Sequence, residues 1–228
     1  MRIEVLCEDK SAQPVLDQVL KQVLERLQLS RYFEYYLHPH RGLGSLPGQL
    51  NARPLASKTG LYDLLPAKLR AYQKLAGREH FVLVIVHDSD DRDADDCYRQ
   101  LEYLCRTFAP AHFFVLGISV EELEAWLLGD WSAIKSAYPE ADHKLWKSYR
   151  QDSVCGTWEL LAHVLEGKHK GNELIRVGYP AVGIYKSEWA RRISPYMKIE
   201  RNQSPSLQKF IRRLDKILPM AVEEARRA

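Results

Sequence analysis

The segment FVLVIVHDSDDRDADD, residues 81–96, decides the fold class of this chain. Its apolar part, 81–86, predicts a β-strand that is buried on both faces, as in parallel sheets covered by helices. Six carboxylates follow within nine residues, 88–96. They therefore lie at the carboxyl end of the predicted strand, where open α/β sheets bind their ligands.

The first two acids of this segment, Asp88 and Asp90, are candidate metal ligands. They are two residues apart, so in extended backbone their side chains point the same way. Like charges at this density repel each other, and the cost grows as the local dielectric falls. A divalent cation would remove that cost, and hard cations prefer oxygen ligands. We therefore expect a hard divalent cation at this position.

Strands and helices alternate along the first part of the chain, which is typical of a mostly parallel sheet. After Gly129 the apolar pattern is helical only. We predict an α/β fold with a Rossmann-like, four-stranded sheet flanked by helices, and a C-terminal helical extension. The predicted division is a core at 1–130 and an extension at 131–228. The predicted strands are 3–7, 32–37, 81–86 and 112–118, and the predicted helices are 15–27, 61–75, 94–108, 120–128, 131–138, 157–165, 186–197 and 206–218.

Further acids follow the other predicted strands. Glu8 ends the first strand, and Glu121, Glu122 and Glu124 come directly after the fourth. Carboxyl ends of parallel strands share one edge, so these acids should gather with Asp88. Such a set favours a divalent-metal site for phosphoryl transfer. We expect Ser119 to be the N-cap of the next helix, with Glu122 as its capping-box partner. The remaining acids of 91–96 should be solvated or lie near the start of the helix that follows them.

Composition fits one large or two small globular domains. The chain has 228 residues, is 46% hydrophobic and carries a net charge of +3, which by itself gives no strong indication of a nucleic-acid partner. The charge is uneven, however: 88–124 is acidic and 186–213 is basic. The acids could hold metal and the bases phosphate, although solvated helix faces explain the basic run equally well.

Several classes of protein are disfavoured. The four cysteines form no CxxC pair, so a zinc knot is not expected. The N-terminus has no signal-peptide pattern and no apolar run approaches the length of a membrane span, so we expect a cytoplasmic protein without membrane contact. Asp91, Asp93, Asp95 and Glu102 have calcium-loop spacing. Asp96 stands where that loop needs glycine, which argues against it.

The pattern of a strand followed by Glu8, then a strand ending in the DxD of Asp88 and Asp90, resembles the Toprim domain of topoisomerases, primases and OLD-family nucleases. There the corresponding acids act in metal-dependent phosphodiester chemistry, which implies a catalytic and metal-binding role for these three. Other acids and a lysine complete a two-metal site in OLD-like nucleases. Glu121, Glu124 and Lys186 are the looser candidates here. The chain departs from the usual VEGxTE start, because Asp9 replaces the glycine.

Nearly the whole chain resembles a bacterial domain-of-unknown-function family whose members often accompany an AAA/ABC-type ATPase, as in OLD-like anti-phage systems. The resemblance is carried by 5–12, 88–91, 118–131, 156–159 and 204–207. It implies an Mg²⁺- or Mn²⁺-dependent nuclease on DNA or RNA, acting as the effector of a defence system with an ATPase partner. A homo-oligomer stays open. The alternatives are a catalytically inactive Toprim-like binding or regulatory subunit, and a metal-dependent phosphotransfer enzyme on a small substrate.

Two further hypotheses concern the second half of the chain. The five tryptophans lie within 126–189 and are expected in the core, but any that is exposed would mark an interface with a partner. Lys186 is predicted to open a helix, where the macrodipole disfavours a cation. A nearby acidic metal site or bound phosphate would explain it, and Lys186 is therefore a candidate catalytic residue. An exposed lysine beside Glu188 is the alternative.

Overall fold

A single parallel sheet organises the molecule. The computed structural model describes residues 1–227. Its four strands, all parallel, lie in the order β2-β1-β3-β4, which confirms the predicted α/β class. The strands are β1 (Arg2–Cys7), β2 (Glu34–Pro39), β3 (Phe81–Asp88) and β4 (Phe113–Ser119).

The helices confirm the predicted alternation and the helical C-terminal part. Three of them connect successive strands, and from β4 to residue 227 the described chain forms helices and loops only. The connecting helices are α1 (Ala12–Arg26), α2 (Leu61–Gln73) and α3 (Ala94–Phe108). The others are α4 (Glu124–Leu128), α5 (Trp131–Ala137), α6 (His143–Ser148), α7 (Thr157–Val177), α8 (Ala181–Ile193) and α9 (Pro205–Arg227), with a 3₁₀ turn at Ser194–Tyr196 between the last two.

Strand β3 is apolar from Phe81 to Val86 because both of its faces are covered. Val82, Val84 and Val86 belong to one hydrophobic cluster with α1 and the C-terminal helices, whereas Leu83 and Ile85 belong to a second with α2 and α3. Removing this apolar surface from water is the main favourable term in folding. The first cluster joins side chains from both sides of residue 130, and the division at that position stays a prediction.

Helix α9 closes over β4 at a glycine. A Cβ built at Gly117 would lie 2.9 Å from Cδ2 of Phe210, so a larger residue there would push the helix away. Phe210 in turn stacks on Trp126, with the ring centroids 5.6 Å apart. Trp126 also donates from Nε1 to Oγ of Ser206 at 2.8 Å. The last helix therefore packs on β4 at Gly117 and is joined to α4 by one aromatic stack and one buried hydrogen bond.

Polar contacts join the segment 118–131 to the segment 201–207, two of the most distinctive parts of the sequence. Arg201 donates two hydrogen bonds to the buried carboxylate of Asp130, from Nε to Oδ1 at 2.8 Å and from Nη2 to Oδ2 at 2.9 Å. Asn202 donates from Nδ2 to the carbonyl of Trp126 at 2.7 Å. Buried polar groups must be paired, so each segment constrains the residues allowed in the other.

None of the five tryptophans in the described chain is exposed. Trp126 and Trp189 are fully buried, and the other three are partly buried against the first cluster. The expectation that they are core residues is confirmed, and the argument from tryptophan to a partner interface loses its support. Within residues 1–227 no helix has both the length and the apolarity needed to cross a bilayer.

Two predictions about helix starts are wrong. Ser119 ends β4 and does not cap a helix, because α4 begins only at Glu124. The chain turns at Glu121, whose φ of +61° is incompatible with a right-handed helix. Helix α8 begins at Ala181, so Lys186 lies in its interior and not at its start. The macrodipole argument for Lys186 therefore does not apply, and another reason for its position must be found.

Candidate functional site

Five carboxylates gather at the carboxyl end of the sheet and are called here the acidic edge: Glu8, Asp88, Asp90, Glu122 and Glu124. The parallel register brings β1 and β3 together, with Cys7 opposite Val86. Both strands end at the same edge of the sheet, where Glu8 is the first residue after β1 and Asp88 is the last residue of β3. The backbone N–H of Asp88 donates to Oε2 of Glu8 at 3.4 Å.

Asp88 is the more buried of the two acids in the DxD motif. The hydroxyl of Ser119, opposite it on β4, donates to Oδ1 of Asp88 at 2.5 Å. Burial raises the pKa of Asp88 well above its usual value, and the charge of Glu8 raises it further, against opposing effects from Lys186 and the Ser119 hydrogen bond. Its ionised form is therefore held at a cost that a nearby cation would relieve.

Asp90 reaches the site in a different way from the one predicted. Strand β3 ends at Asp88, and Asp90 takes a left-handed conformation with φ of +49°. Its backbone N–H donates to the carbonyl of Glu121 at 2.9 Å, which holds the turn against the segment after β4. The side chain is 55% exposed and lies 3.9 Å from Arg92. A turn, and not the alternation of an extended strand, thus directs this carboxylate.

The pKa of Glu8 is raised by its burial and by the acids around it. Burial raises its pKa to about 7, and the charge of Asp90 is the next contribution in the same direction; the N–H of Asp88 opposes both. Glu8 is therefore within electrostatic reach of Asp90 and within hydrogen-bond reach of the Asp88 backbone.

Lys186 is a buried counter-ion of the acidic edge. Its Nζ lies 3.1 Å from Oε2 of Glu124 and 3.2 Å from Oε1 of Glu122, and its side chain is 7% exposed. Burial lowers the pKa of Lys186, but the carboxylates of Glu124, Glu122 and Asp88 outweigh it and hold the pKa above its usual value. The lysine is therefore charged, and its position is explained by the acids that surround it.

Two carboxylate oxygens beside Lys186 have no hydrogen-bond donor. Oε2 of Glu122 and Oε2 of Glu124 are buried and accept no hydrogen bond. For Glu124 this is the atom nearest to Lys186, so the contact is one of charge without hydrogen-bond geometry. Burial and the charge of Glu124 raise the pKa of Glu122 to about 7. Unpartnered buried oxygens are rare in proteins and call for an explanation, such as an ion.

Glu121 has a structural role, which corrects its prediction as a metal ligand. Its two carboxylate oxygens accept from the backbone N–H groups of Cys155, Gly156 and Thr157, at 2.8–3.1 Å, and from the Thr157 hydroxyl at 3.0 Å. These donors are orphan groups at the start of α7. Glu121 therefore caps α7, and its oxygens are already engaged.

Tyr179 belongs to the site, although the sequence analysis did not place it there, and Glu122, which was expected to cap a helix, contacts Lys186 instead. Tyr179 accepts a hydrogen bond from Lys186 at 3.3 Å. One sequence signal was available for Lys186 itself. The buried residues of α8 recur at helical spacing (Val182, Lys186, Trp189, Ala190 and Ile193), so Lys186 stands on the apolar stripe. A lysine on such a stripe needs buried acids as partners.

Three histidines and Asp93 lie outside the acidic edge or support it. His87 is buried and neutral, because burial lowers its pKa to about 4. It bonds the Tyr62 hydroxyl through Nε2 and the Asp88 carbonyl through Nδ1, and so helps to fix the DxD backbone. His38 pairs with Glu4 on the sheet, and His40 with the Cys7 carbonyl. Asp93 caps α3, as expected for the acids of 91–96.

The donor set suits a hard cation. With Arg92 beside Asp90, five carboxylates face two cations, an excess of three negative charges when all are ionised. All donors are oxygens, the ligands that Mg²⁺ and Mn²⁺ take. In the part of the chain that the structure describes, no three His, Cys, Asp or Glu side chains are already grouped as a metal would require. The chemistry of the residues fits a divalent cation, and their arrangement is an open edge with Lys186 between two acids.

Comparison with protein families gives one match. A family model for a domain of unknown function, DUF4276, matches residues 7–215. This range contains all five acids of the acidic edge together with Lys186 and Tyr179. Neither the curated proteins nor the solved structures contain a match.

Proposed function

This chain belongs to the DUF4276 family of domains of unknown function, and we propose that it is a Toprim-like, Mg²⁺- or Mn²⁺-dependent nuclease that hydrolyses phosphodiester bonds of DNA or RNA. The observation that carries the proposal is the excess of buried negative charge at the acidic edge. Burial and mutual repulsion raise the pKa of Glu8, Asp88 and Glu122. Acids whose pKa is raised by burial and by specific charged neighbours are concentrated at functional sites.

The acids of the acidic edge would bind the metal, and neighbouring side chains would hold them in place. Glu8, Asp88, Asp90 and Glu124 are the proposed ligands, and Glu122 is added to them because its free oxygen is buried beside Glu124. A bound divalent cation lowers the pKa of water and offsets charge on the phosphate. Ser119 and His87 hold Asp88 in place from its side chain and its carbonyl.

Lys186 is proposed to act on the phosphate. In hydrolysis, water adds to phosphorus, one phosphorus–oxygen ester bond breaks and the leaving oxygen takes a proton. Negative charge grows on the phosphate oxygens as this happens. The Lys186 ammonium is fixed between Glu122 and Glu124, so it needs no reorganisation to stabilise that charge.

A second candidate function has its own supporting observation. Lys186 places a positive charge between two acids, as a bound cation would do. A Toprim-like domain with such an internal counter-ion could have dispensed with metal and serve as a binding or regulatory subunit. In both cases we propose a cytoplasmic partner of an AAA/ABC-type ATPase in an anti-phage system, which the resemblance of the whole chain supports.

Cleavage assays separate the two candidates. Plasmid DNA and a structured RNA are incubated with Mg²⁺ or Mn²⁺ and with the wild type, Glu8→Ala or Asp88→Asn, alone and with the ATPase encoded beside it. Asp91→Asn is the matched control, because Asp91 is exposed in the same loop. The nuclease requires metal-dependent cleavage that both site variants abolish and the control keeps. Cleavage that survives in Glu8→Ala and Asp88→Asn would show a contaminant, and no cleavage under any condition would favour the binding subunit.

A further inference from the structure

Tyr179 is an exposed aromatic residue held at the rim of the acidic edge. Tyr179 is 64% exposed, yet its hydroxyl accepts a hydrogen bond at 3.3 Å from Nζ of Lys186, whose side chain is only 7% exposed. Lys186 in turn contacts Glu122 and Glu124. The ring is thus attached directly to the charged site while most of its surface faces solvent.

The ring is also oriented by the helix beneath it. A Cβ at Gly183 would lie 3.9 Å from Cε1 of Tyr179, so the ring passes over the first turn of α8 at the point where that helix has no side chain. The bond from Lys186 to the hydroxyl and the closeness of the ring edge to α8 restrict the orientation of the ring before any ligand arrives. A preorganised aromatic surface costs little entropy on binding.

Two further apolar residues are exposed close to Tyr179 in the sequence. Val177 at the end of α7 is 56% exposed, and Ile184 near the start of α8 is 72% exposed. Contiguous exposed apolar side chains mark binding surfaces, and three exposed apolar or aromatic residues fall within 177–184. A purely ionic site for a small phosphate ester would have no use for such a surface, whereas a nucleotide presents both a phosphate and a flat base.

We propose that Tyr179 is the stacking platform for a nucleobase next to the phosphate that lies at the acidic edge. The substrate class is then a single-stranded or locally unpaired nucleic acid, because a base inside a duplex has no free face to offer. This inference rests on the proposed function for the identity of the phosphate site. It adds the strandedness of the substrate and a residue that determines it.

Binding without cleavage tests the platform. Fluorescence anisotropy of a fluorescein-labelled oligothymidylate is measured with Ca²⁺ in place of Mg²⁺, beside the same oligonucleotide annealed to its complement. Tyr179→Leu removes the aromatic face, Tyr179→Phe and Tyr179→Trp keep it, and Tyr103→Leu is the control, since Tyr103 is 60% exposed on α3. Melting temperatures establish that all variants are folded.

We expect the single strand to bind more tightly than the duplex, and Tyr179→Leu to bind it about 5- to 100-fold more weakly than wild type. Tyr179→Phe, Tyr179→Trp and Tyr103→Leu should stay within about threefold of wild type. Equal binding by Tyr179→Leu and wild type overturns the inference, as does an equal loss in Tyr179→Phe, which would assign the effect to the hydroxyl. A loss of ATPase binding in Tyr179→Leu with oligonucleotide binding intact also overturns it and identifies a protein-docking surface.

The two proposals fail separately. Metal-dependent cleavage that Tyr179→Leu leaves unchanged in both KM and strand preference would retain the nuclease and remove the platform. Stacking-dependent binding by a protein that never cleaves would retain the platform and remove the nuclease. Absence of binding to both oligonucleotides by the wild type removes the platform.

Discussion

Nζ of Lys186 lies 3.1 Å from Oε2 of Glu124, and both side chains are almost fully buried, at 7% and 1% exposure. The two residues stand on different helices, α8 and α4, so the contact joins the C-terminal helices to the segment that follows the sheet. A buried ion pair is weak evidence for stability, because desolvation offsets much of the attraction. Breaking it from one side is nevertheless costly, because the remaining charge stays buried.

Replacing Lys186 by methionine should destabilise the protein strongly at alkaline pH. Glu122 and Glu124 would lose their counter-ion, and the expected loss in the free energy of unfolding is about 3–5 kcal/mol. The loss should shrink near pH 5.5, where the freed carboxyls take up protons. Urea denaturation at the two pH values measures this. Lys198→Met, at an exposed position, is the control, and an equal effect of both variants would contradict the pairing.

The metal-free protein should lose stability as pH rises from about 5 to about 8. The folded-state pKa of Glu8 and of Glu122 is about 7, above the ordinary value of 4.5. A raised folded pKa means that the folded state binds protons more tightly, so its stabilising effect is present at low pH and is lost as pH passes through 7. The loss is at most about 3 kcal/mol for each group.

Glu122→Gln identifies the source of that pH dependence. The amide cannot ionise, so the curve of unfolding free energy against pH should become flatter between pH 5 and pH 8. Glu140→Gln, at an exposed position, should leave the slope as it is. Chemical denaturation in EDTA gives both curves, and superimposable curves for wild type and Glu122→Gln would assign the slope to other groups.

Mg²⁺ or Mn²⁺ should raise the melting temperature of the wild type, because a ligand that binds only the folded state stabilises it by about 2.7 kcal/mol at one hundred times its dissociation constant. Asp88→Asn should abolish the rise and should itself be at least as stable as the metal-free wild type, since it relieves repulsion with Glu8. Differential scanning fluorimetry with Asp91→Asn as the control decides this. A wild type that shows no shift with either metal has no such site.

Glu121→Ala should behave differently from the variants of the acidic edge. Loss of the cap leaves the first N–H groups of α7 without an acceptor and should cost about 1–2 kcal/mol of stability. The metal-dependent rise in melting temperature should survive, because Glu121 is engaged by Cys155, Gly156 and Thr157. If the rise disappears while the variant remains folded, Glu121 is a ligand after all and the capping role is secondary.

The parallel sheet and the position of its acids could be predicted from sequence because both depend on local pattern. The apolar run 81–86 has no polar face, which only a doubly covered strand tolerates. Once the strands are parallel, Glu8 and Asp88 must share an edge. The direction in which the Asp90 side chain points could not be predicted. Asp90 itself takes a left-handed conformation, and its N–H is held by the carbonyl of Glu121, which lies 31 residues away in the chain.

The sequence by itself determined the fold class, the family and the clustering of Glu8 and Asp88, since hydrophobic periodicity and the succession of strands and helices along the chain need no distant partner. Only the tertiary structure decided which glutamate after β4 faces the site. Glu121 was taken by the orphan N–H groups of α7, and Glu122 and Glu124 were left to Lys186. These choices depend on how α7 and α8 pack against α4. An unpaired charge or N–H group is costly to bury, and this cost selects among neighbouring acids that are identical in local pattern.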